Sequence, residues 1–343
     1  MNLRGHIPIY KKLIEFYRNR IISQEYLPGA KIDSINKIMS RHQVSRETAK
    51  RVLQALIAEN LVISQPGRGT FINGVTSMVK KWGMVIPFYS TNIEQLISEI
   101  SKQAQFSGRK LEYFLHYNNP DEEMRSIGQL IQKGYEAIII VPNYDESITG
   151  EFYRRLNPGK TKIVLADNTM AGSYFNYAIQ SYDLGVTRAV DYLAEWEEKG
   201  NYLLLSSERW QGRNLVFDHM KQTFEMILEM KYPDRKLFHS ADINDLSVDF
   251  FRGNNIRGVL AIQDSLTVRL IGKLKKWGFS IPEEIRLVSY GNTELSELFT
   301  PAITVVDCQY EEMANKIGQL INETSNLIGK QIIIQPKLIV RET

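Results

Sequence analysis

Behind residue 80 the chain repeats one pattern, and that pattern limits the fold more than any other feature. Short apolar runs alternate with helical stretches. "GMVIP" (83–87) precedes a helix near 92–107, "LEYFLHY" precedes "DEEMRSIGQLIQKG", and "EAIIIV" precedes "SITGEFYRRL". "KIVLAD" (162–167) and "YAIQSY" (177–182) lead to a helix near 183–197, and "NYLLLSS" to one near 213–230. "RGVLAIQD" precedes "SLTVRLIGKLKKWGF", and "IRLVSYGN" closes the series. A strand that is apolar along its whole length has both faces covered, so the pattern predicts parallel sheets with helices on either side. There are too many strands for one compact sheet, and the rhythm restarts near 200. The expected body is therefore an α/β unit of two similar lobes with a cleft between them. In such folds ligands bind past the carboxyl ends of the strands.

The first 75 residues follow a different rule. They carry 12 Lys and Arg against 5 Asp and Glu, while the rest of the chain carries 30 against 34. A small basic head on a slightly acidic body is the asymmetry expected when only the head meets a polyanion. At 343 residues the chain has room for two or three domains. The reading divides it into a head (1–75), a linker (76–81) and a body (82–343). "MNLRGHIPIYKK" has no apolar core of signal-peptide length, and no segment approaches the roughly 20 apolar residues of a membrane helix, so a cytoplasmic protein is expected. The single cysteine, Cys308, cannot form an internal disulfide and reads as a small buried apolar residue.

In the head, Tyr10, Leu13, Ile14, Tyr17 and Ile21 recur at helical spacing behind Pro8. "LPGA" (27–30) is a turn. A short helix follows from its cap, Ser34, then a tight turn, then a third helix with Ser45 as its natural cap. Ala49, Val52, Leu53, Leu56 and Ile57 form one face of that third helix, with Arg46, Thr48, Lys50 and Arg51 largely off it. This is the plan of a helix-turn-helix, whose second helix fits the major groove of DNA. Leu61–Ser64 and Thr70–Ile72 read as two short strands joined by "QPGRG", a basic hairpin tip able to lie along a phosphate backbone.

The combination "PIYKKLIEFYRNRIISQEYLPGAKI…VSRETAKRVLQALIAENLVISQPGRGTFI" resembles the GntR-type winged helix-turn-helix over nearly all of residues 8–72. The resemblance implies DNA contacts from Ser34, Ser45, Arg46, Thr48, Arg51, Arg68, Gly69 and Thr70. Lys50 joins them by its place on the exposed face. Ser45 reads equally as a cap alone. At Ile35 the family's acidic residue is missing, so its contact is not carried over.

The body resembles the LacI/GalR type of effector domain, itself similar to periplasmic sugar-binding proteins. "DNTMAG" (167–172), "SYDLGVTRAVDYLAE" (181–195), "GVLAIQDSLTVRLIGKLKKWGFSIPEEIRLVSYGNTEL" (258–295), "PAITVVD" (301–307) and "PKLIVRET" (336–343) carry that resemblance. It implies three chain crossings between lobes. One lobe is expected from about 80–197 plus 295–327, and the other from about 200–294 plus the tail. Met220 stands where the family has a sugar-clamping arginine, with Arg213 as a substitute, and Asn292 stands for the family's aspartate after Tyr290 and Gly291.

Residues just past strand ends are the candidate ligand contacts: Phe88, Tyr89, Ser90, Asn143, Tyr144, Asp167, Asp183, Trp210, Arg213, Gln263, Asp264 and Asn292. Aromatics mixed with carboxylates and amides suit a polyol, which offers many hydroxyls and a flat apolar face. Such residues are also common caps, and Asp183 reads equally as one. No phosphate loop, dinucleotide fingerprint, metal-spaced histidine set or nucleophile elbow is present, so neither an enzyme nor a cofactor is expected. The reading is a dimeric transcriptional regulator, a repressor, that binds an operator in double-stranded DNA and responds to a small molecule, a sugar or its derivative. The alternative is a sugar-binding module or a carbohydrate-acting enzyme built on the same two lobes.

Overall fold

The apolar runs fold into two six-stranded sheets, seen in a computed structural model that describes all residues except 1–7, 23–24, 28, 60, 74–78, 144–145, 171, 196–199, 207–214 and 324–328. The head comes first: α1 (Ile9–Ile22), α2 (Ile35–His42), α3 (Arg46–Ala58), β1 (Val62–Gln65) and β2 (Gly69–Ile72). Leu13, Tyr17, Ile38, Val52, Leu56 and Ile72 close its core. The two strands pair antiparallel, and Lys31 adds a bridge to Phe71 at the edge.

The first lobe contains β3 (Val79–Ile86), α4 (Thr91–Phe106), β4 (Lys110–Leu115), α5 (Pro120–Gln132), β5 (Tyr135–Ile140), α6 (Glu146–Arg155), β6 (Lys162–Asp167) and β7 (Asn176–Gln180). The second continues with α7 (Tyr182–Ala194), β8 (Asn201–Leu205), α8 (Leu215–Lys231), β9 (Leu237–Ser240), α9 (Val248–Gly253), β10 (Ile256–Ala261), α10 (Asp264–Lys276), β11 (Arg286–Tyr290), α11 (Glu294–Leu298) and β12 (Thr304–Asp307). The chain then returns through α12 (Tyr310–Asn322) and β13 (Gln331–Ile334) to the first lobe, and ends with β14 (Lys337–Ile339) in the second.

The first sheet runs β13-β7-β6-β5-β3-β4 and is parallel throughout. The second runs β14-β12-β11-β10-β8-β9 and is parallel except for β14. Among the described residues no helix is long and apolar enough to cross a membrane.

The three crossings lie at Ser181, at Cys308–Gln309 and at Gln335–Pro336, and they correct the expected lobe limits. Helix α7 packs on α8, β10, β11, β12 and β14, so it belongs to the second lobe and not the first. Its apolar stripe of Val186, Ala189, Val190 and Leu193 is buried there. Strand β12 also belongs to the second lobe, because Val288 and Tyr290 of β11 pair with its Thr304 and Val306. Strand β13 belongs to the first, where Ile333 pairs with Ile179 of β7. A crossing of one or two residues leaves the alternation of strands and helices unchanged, so the pattern does not mark it.

In the second lobe Leu203, Leu205, Val259, Ala261, Leu287 and Val305 share one face of the sheet and pack against α9 and α10. On the other face Leu204, Leu260 and Val288 lie side by side, fully buried. Gly258 must stay glycine, since a Cβ there would come within 2.7 Å of the Tyr202 ring. Leu260→Ala leaves a hole at the centre of this sheet. It is expected to lower stability by about 2–5 kcal/mol, read as a lower urea midpoint in circular dichroism.

Candidate functional site

Two surfaces bring chemistry-bearing side chains together. The first is the outer face of α3 with the adjoining hairpin. Gln43 ends α2 in the left-handed region (φ 51°), its N–H bonded to the Met39 carbonyl, and this turns the chain sharply into α3. The Ser45 hydroxyl accepts from the Thr48 N–H at 3.2 Å and lies 3.0 Å from the Thr48 hydroxyl. Ser34 caps α2 in the same way, accepting from Lys37 N–H at 3.3 Å. With Ala49, Val52, Leu53 and Leu56 buried, Arg46, Lys50 and Arg51 stand in solvent on the opposite side. The Arg51 guanidinium lies 4.1 Å from the centre of the Tyr10 ring, which fixes its direction.

Residues Gln65 to Arg68 form a tight turn closed by the Arg68 N–H on the Gln65 carbonyl at 3.0 Å. Pro66 and Gly67 (φ +75°) occupy its centre, the arrangement of a type II turn. Arg68 is exposed at the tip, with Gly69 and Thr70 half-buried behind it. A Cβ on Gly69 would meet the Lys31 side chain at 2.5 Å. Lys31, on the neighbouring edge, is a cation the sequence reading passed over. Its bridge to Phe71 joins residues far apart in the chain, and no local pattern announces that.

The head is held by a buried carboxylate. Asp33 accepts from the Tyr17 hydroxyl (3.0 Å) and from Arg41 (2.5 Å), and pairs with Lys37 (2.9 Å). Burial pushes its pKa up, but the bonds from Lys37 and Tyr17 and the charge of Arg41 outweigh that and hold it below the ordinary carboxylate value.

The second surface is the cleft between the lobes. A small cavity of about 70 Å³ is lined from the first lobe by Phe88, Ser90, Asn92, Asp167 and Gln180, and from the second by Phe217, Met220, Gln263 and Tyr290. A more open hollow of about 440 Å³ shares Asp167, Gln180, Tyr182 and Val216 with it, so the two adjoin. Asn143, Asp183 and His219 line that outer part.

Asp167 occupies the junction. Its φ is +62°, and the Asn168 N–H reaches back to the Ala166 carbonyl at 2.6 Å. A non-glycine residue in that conformation is uncommon and turns the strand end sharply. Gln180 donates to Asp167 Oδ1 at 2.8 Å and Tyr310 at 3.4 Å, while Tyr182 donates to its carbonyl at 3.3 Å. Burial raises the pKa of Asp167, and these bonds oppose the rise.

Several sequence candidates hold other positions. Asp264 is fully buried, accepting from Ser289 (2.5 Å) and from both the N–H and the hydroxyl of Thr293 (2.7 Å each), so its oxygens are occupied inside the second lobe. Asn292 is turned toward Asp307 (3.3 Å) and Arg341 (2.9 Å), and lines neither part of the cleft. Tyr89 is exposed, its hydroxyl donating to that of Tyr113 at 3.3 Å. Ser90 lines the cavity while capping α4. The cap of α7 is Ser181; Asp183 instead accepts from Thr223 and pairs with His219 at 2.7 Å. Tyr144, Trp210 and Arg213 lie outside the described residues. Sequence reasoning missed Asn92, Gln180 and Tyr290. The last two end strands it had recognised, and that position was their available signal.

Comparison with known proteins follows the same division. Residues 9–72 match the gntR family of bacterial regulatory proteins, and residues 217–343 match a periplasmic binding protein-like domain. The chain is 22% identical over 356 residues to the arabinose metabolism transcriptional repressor of Halalkalibacterium halodurans, covering 95% of this chain and 94% of the relative. A repressor of the same name from Geobacillus stearothermophilus is 21% identical over 358 residues, covering 98% of each. Among solved structures, a periplasmic binding protein/LacI transcriptional regulator from Alkaliphilus metalliredigens, complexed with D-xylulofuranose, superposes with a TM-score of 0.64 at 20% identity. That match covers 77% of this chain and 99% of the other.

Beneath the cleft, Glu123 of α5 is wholly buried. It accepts from the Tyr153 hydroxyl and from the Asn143 N–H (3.1 Å), fixing the start of the loop after β5. Burial raises its pKa to about 7, against the opposing effect of those two bonds. The folded protein thus keeps a proton that the unfolded chain releases near 4.5. The stability tied to that proton is fully present below 4.5 and is lost as the pH rises through about 7. Glu123→Gln keeps an acceptor for Asn143 and removes the titration. Its stability is expected to vary less between pH 4.5 and 7, by on the order of 3 kcal/mol, in urea titrations at fixed pH values.

Proposed function

We propose that this chain, a transcriptional regulator with a gntR-family head and a periplasmic-binding-protein-like body, represses by gripping duplex DNA through α3 and the β1–β2 wing, and changes that grip when a sugar or sugar derivative fills the interlobe cleft. The observation that carries this reading is the separation of two unlike surfaces. Arg46, Lys50 and Arg51 form an exposed cationic face held outward by a buried apolar one, and the cleft, within the body, mixes carboxylate, amides and aromatic rings.

Arg46, Thr48, Lys50 and Arg51 enter the major groove, with Ser34 and Ser45 at the helix starts meeting phosphate. Arg68, Gly69 and Thr70 follow the backbone from the wing, and the close approach rests on the absence of a side chain at Gly69. Two copies joined through their bodies present two heads to a roughly two-fold operator. The three crossings form the hinge. A ligand that binds the closed arrangement better than the open one shifts the lobes, and with them the heads, by a coupling of about 1–3 kcal/mol.

The test is fluorescence anisotropy on duplexes selected from a random library, repeated over a series of salt concentrations. Arg46→Ala is expected to weaken binding by about 1–3 kcal/mol, and Lys50→Ala to reduce the salt slope by about 1. Both should retain ligand-induced thermal stabilisation. Unchanged affinity in the double variant would remove α3 from the interface.

A further inference from the structure

Helix α5 of the first lobe reaches toward both surfaces. Its first turn is capped by the Asn119 side chain, which accepts from the N–H groups of Asp121 (2.9 Å) and Glu122 (3.3 Å). Ile127, Leu130 and Ile131 are buried in the lobe core, so the helix moves with that lobe. Glu123, on the same buried side, holds the Asn143 N–H with both carboxylate oxygens (3.1 and 3.2 Å). Asn143 itself lines the outer part of the cleft. Asp121 and Arg125, one turn apart, share the opposite side of the helix. There they meet the head. The backbones of α1 and α5 come within 8 Å of each other. A hollow of about 520 Å³ beside them is lined by residues of both, among them Tyr10, Lys11 and Lys12 of the head and Asp121 and Arg125 of the lobe.

Tyr10 has a second neighbour, the Arg51 guanidinium of α3, 4.1 Å from the centre of its ring. Helix α1 is also tied to the end of α3 by Arg18, which donates to both oxygens of Glu59 (2.7 and 2.9 Å). An unbroken series of contacts therefore runs from the cleft loop through Glu123 and α5 to α1, Tyr10 and a cation of α3. We propose that the first lobe carries the head on α5: the α1–α5 contact makes the head follow the lobe, and Tyr10 passes the change to Arg51. The proposal rests on the effector-controlled reading above and names the contact that conveys the signal. The charges suit a seat that can be left and regained. Lys11 and Lys12 bring positive charge to a helix whose first turn holds Asp121, Glu122 and Glu123. Arg125 is paired with Glu122 of its own helix, which leaves Asp121 as the outward carboxylate of that turn. Attraction between exposed charges is screened over a distance on the order of 10 Å at physiological salt, so the seat is a weak one. Seated, the head presents Arg51 at a fixed angle and binds a duplex better; unseated, Tyr10 loses the support of the lobe.

The experiment uses the full chain and needs no effector. Affinity for the selected duplex is read by anisotropy at fixed salt for Asp121→Ala/Arg125→Ala, for Tyr10→Leu and for the three changes together. The lobe variant alters no residue assigned to DNA and only surface side chains. It should melt with the parent while binding the duplex about three- to tenfold more weakly. Tyr10→Leu should weaken binding to a similar degree, and the triple variant should lose no more than either. Losses that multiply in the triple variant overturn the relay through Tyr10. A lobe variant that binds like the parent, or more tightly, overturns the seat as an aid to binding. Glu123→Leu, which removes both acceptors from the Asn143 N–H, should reproduce the loss, and Glu123→Gln should keep the parent's affinity. Loss in both, or in neither, overturns the link to the cleft loop, and the surface variants decide the seat even where Glu123→Leu does not fold. Hydrogen exchange over residues 9–18, followed without DNA, should be faster in the lobe variant than in the parent; unchanged exchange overturns the α1–α5 contact. A parent that binds no duplex ends the DNA-binding reading, and the exchange result still decides the contact by itself.

Discussion

The cleft depends on the parallel course of the strands. Because strands on both sides run the same way, their carboxyl ends gather along one edge of each sheet, and the three crossings hold those edges together. Asp167, Gln180 and Tyr290 take their places from that register. Asp167 pairs with Ile179 across β6 and β7, which puts Gln180 one residue further on and within hydrogen-bond reach of the carboxylate. Tyr290 pairs with Val306, which brings Cys308 and Tyr310 to the same corner as the chain leaves the second lobe. A slip of two residues in either pairing would preserve the alternation of faces and still separate these groups by more than 6 Å.

The head answers a different problem, since it is too small for apolar burial alone to fix the angle between its helices. Asp33 sits just before α2 and draws Tyr17 from α1 and Lys37 and Arg41 from α2 onto one carboxylate. The same residues that orient the helices thereby spend two cations of the head on an internal pair. The exposed cations left over include Arg46, Lys50 and Arg51 on α3, Lys31 and Arg68 beside the wing, and Lys11 and Lys12 on α1.

Much of this was legible in the sequence because it is periodic or local. The apolar face of α3, its cap at Ser45 and the turn at Pro66 and Gly67 each follow from spacing or from residue type within a few positions. Eight of the twelve strands of the two sheets were legible as largely apolar runs, while β9, β12, β13 and β14 were not read as strands. The lobe limits were misread because a crossing is one or two residues long and has no composition of its own. Asp264 was misread for a related reason. A carboxylate past a strand end looks the same in sequence whether it faces a cleft or accepts from Ser289 and Thr293, which lie 25 and 29 residues away. Asn92 and Gln180 escaped notice because amides are ordinary on a helix or strand, and only the partner taken by the nitrogen shows which way the oxygen is left.

The ring of Tyr10 beneath Arg51 has a kinetic meaning as well as a geometric one. A long cationic chain normally samples many rotamers, and docking must freeze them. Held 4.1 Å from the centre of an aromatic ring, this guanidinium has less freedom to lose, so a proposed contact with a duplex would cost less entropy. The stiffness also narrows tolerance. A probe clamped at one angle rewards a groove of matching width and gives little to one that is not, so under the proposed DNA contact α1 would take part in choosing the sequence.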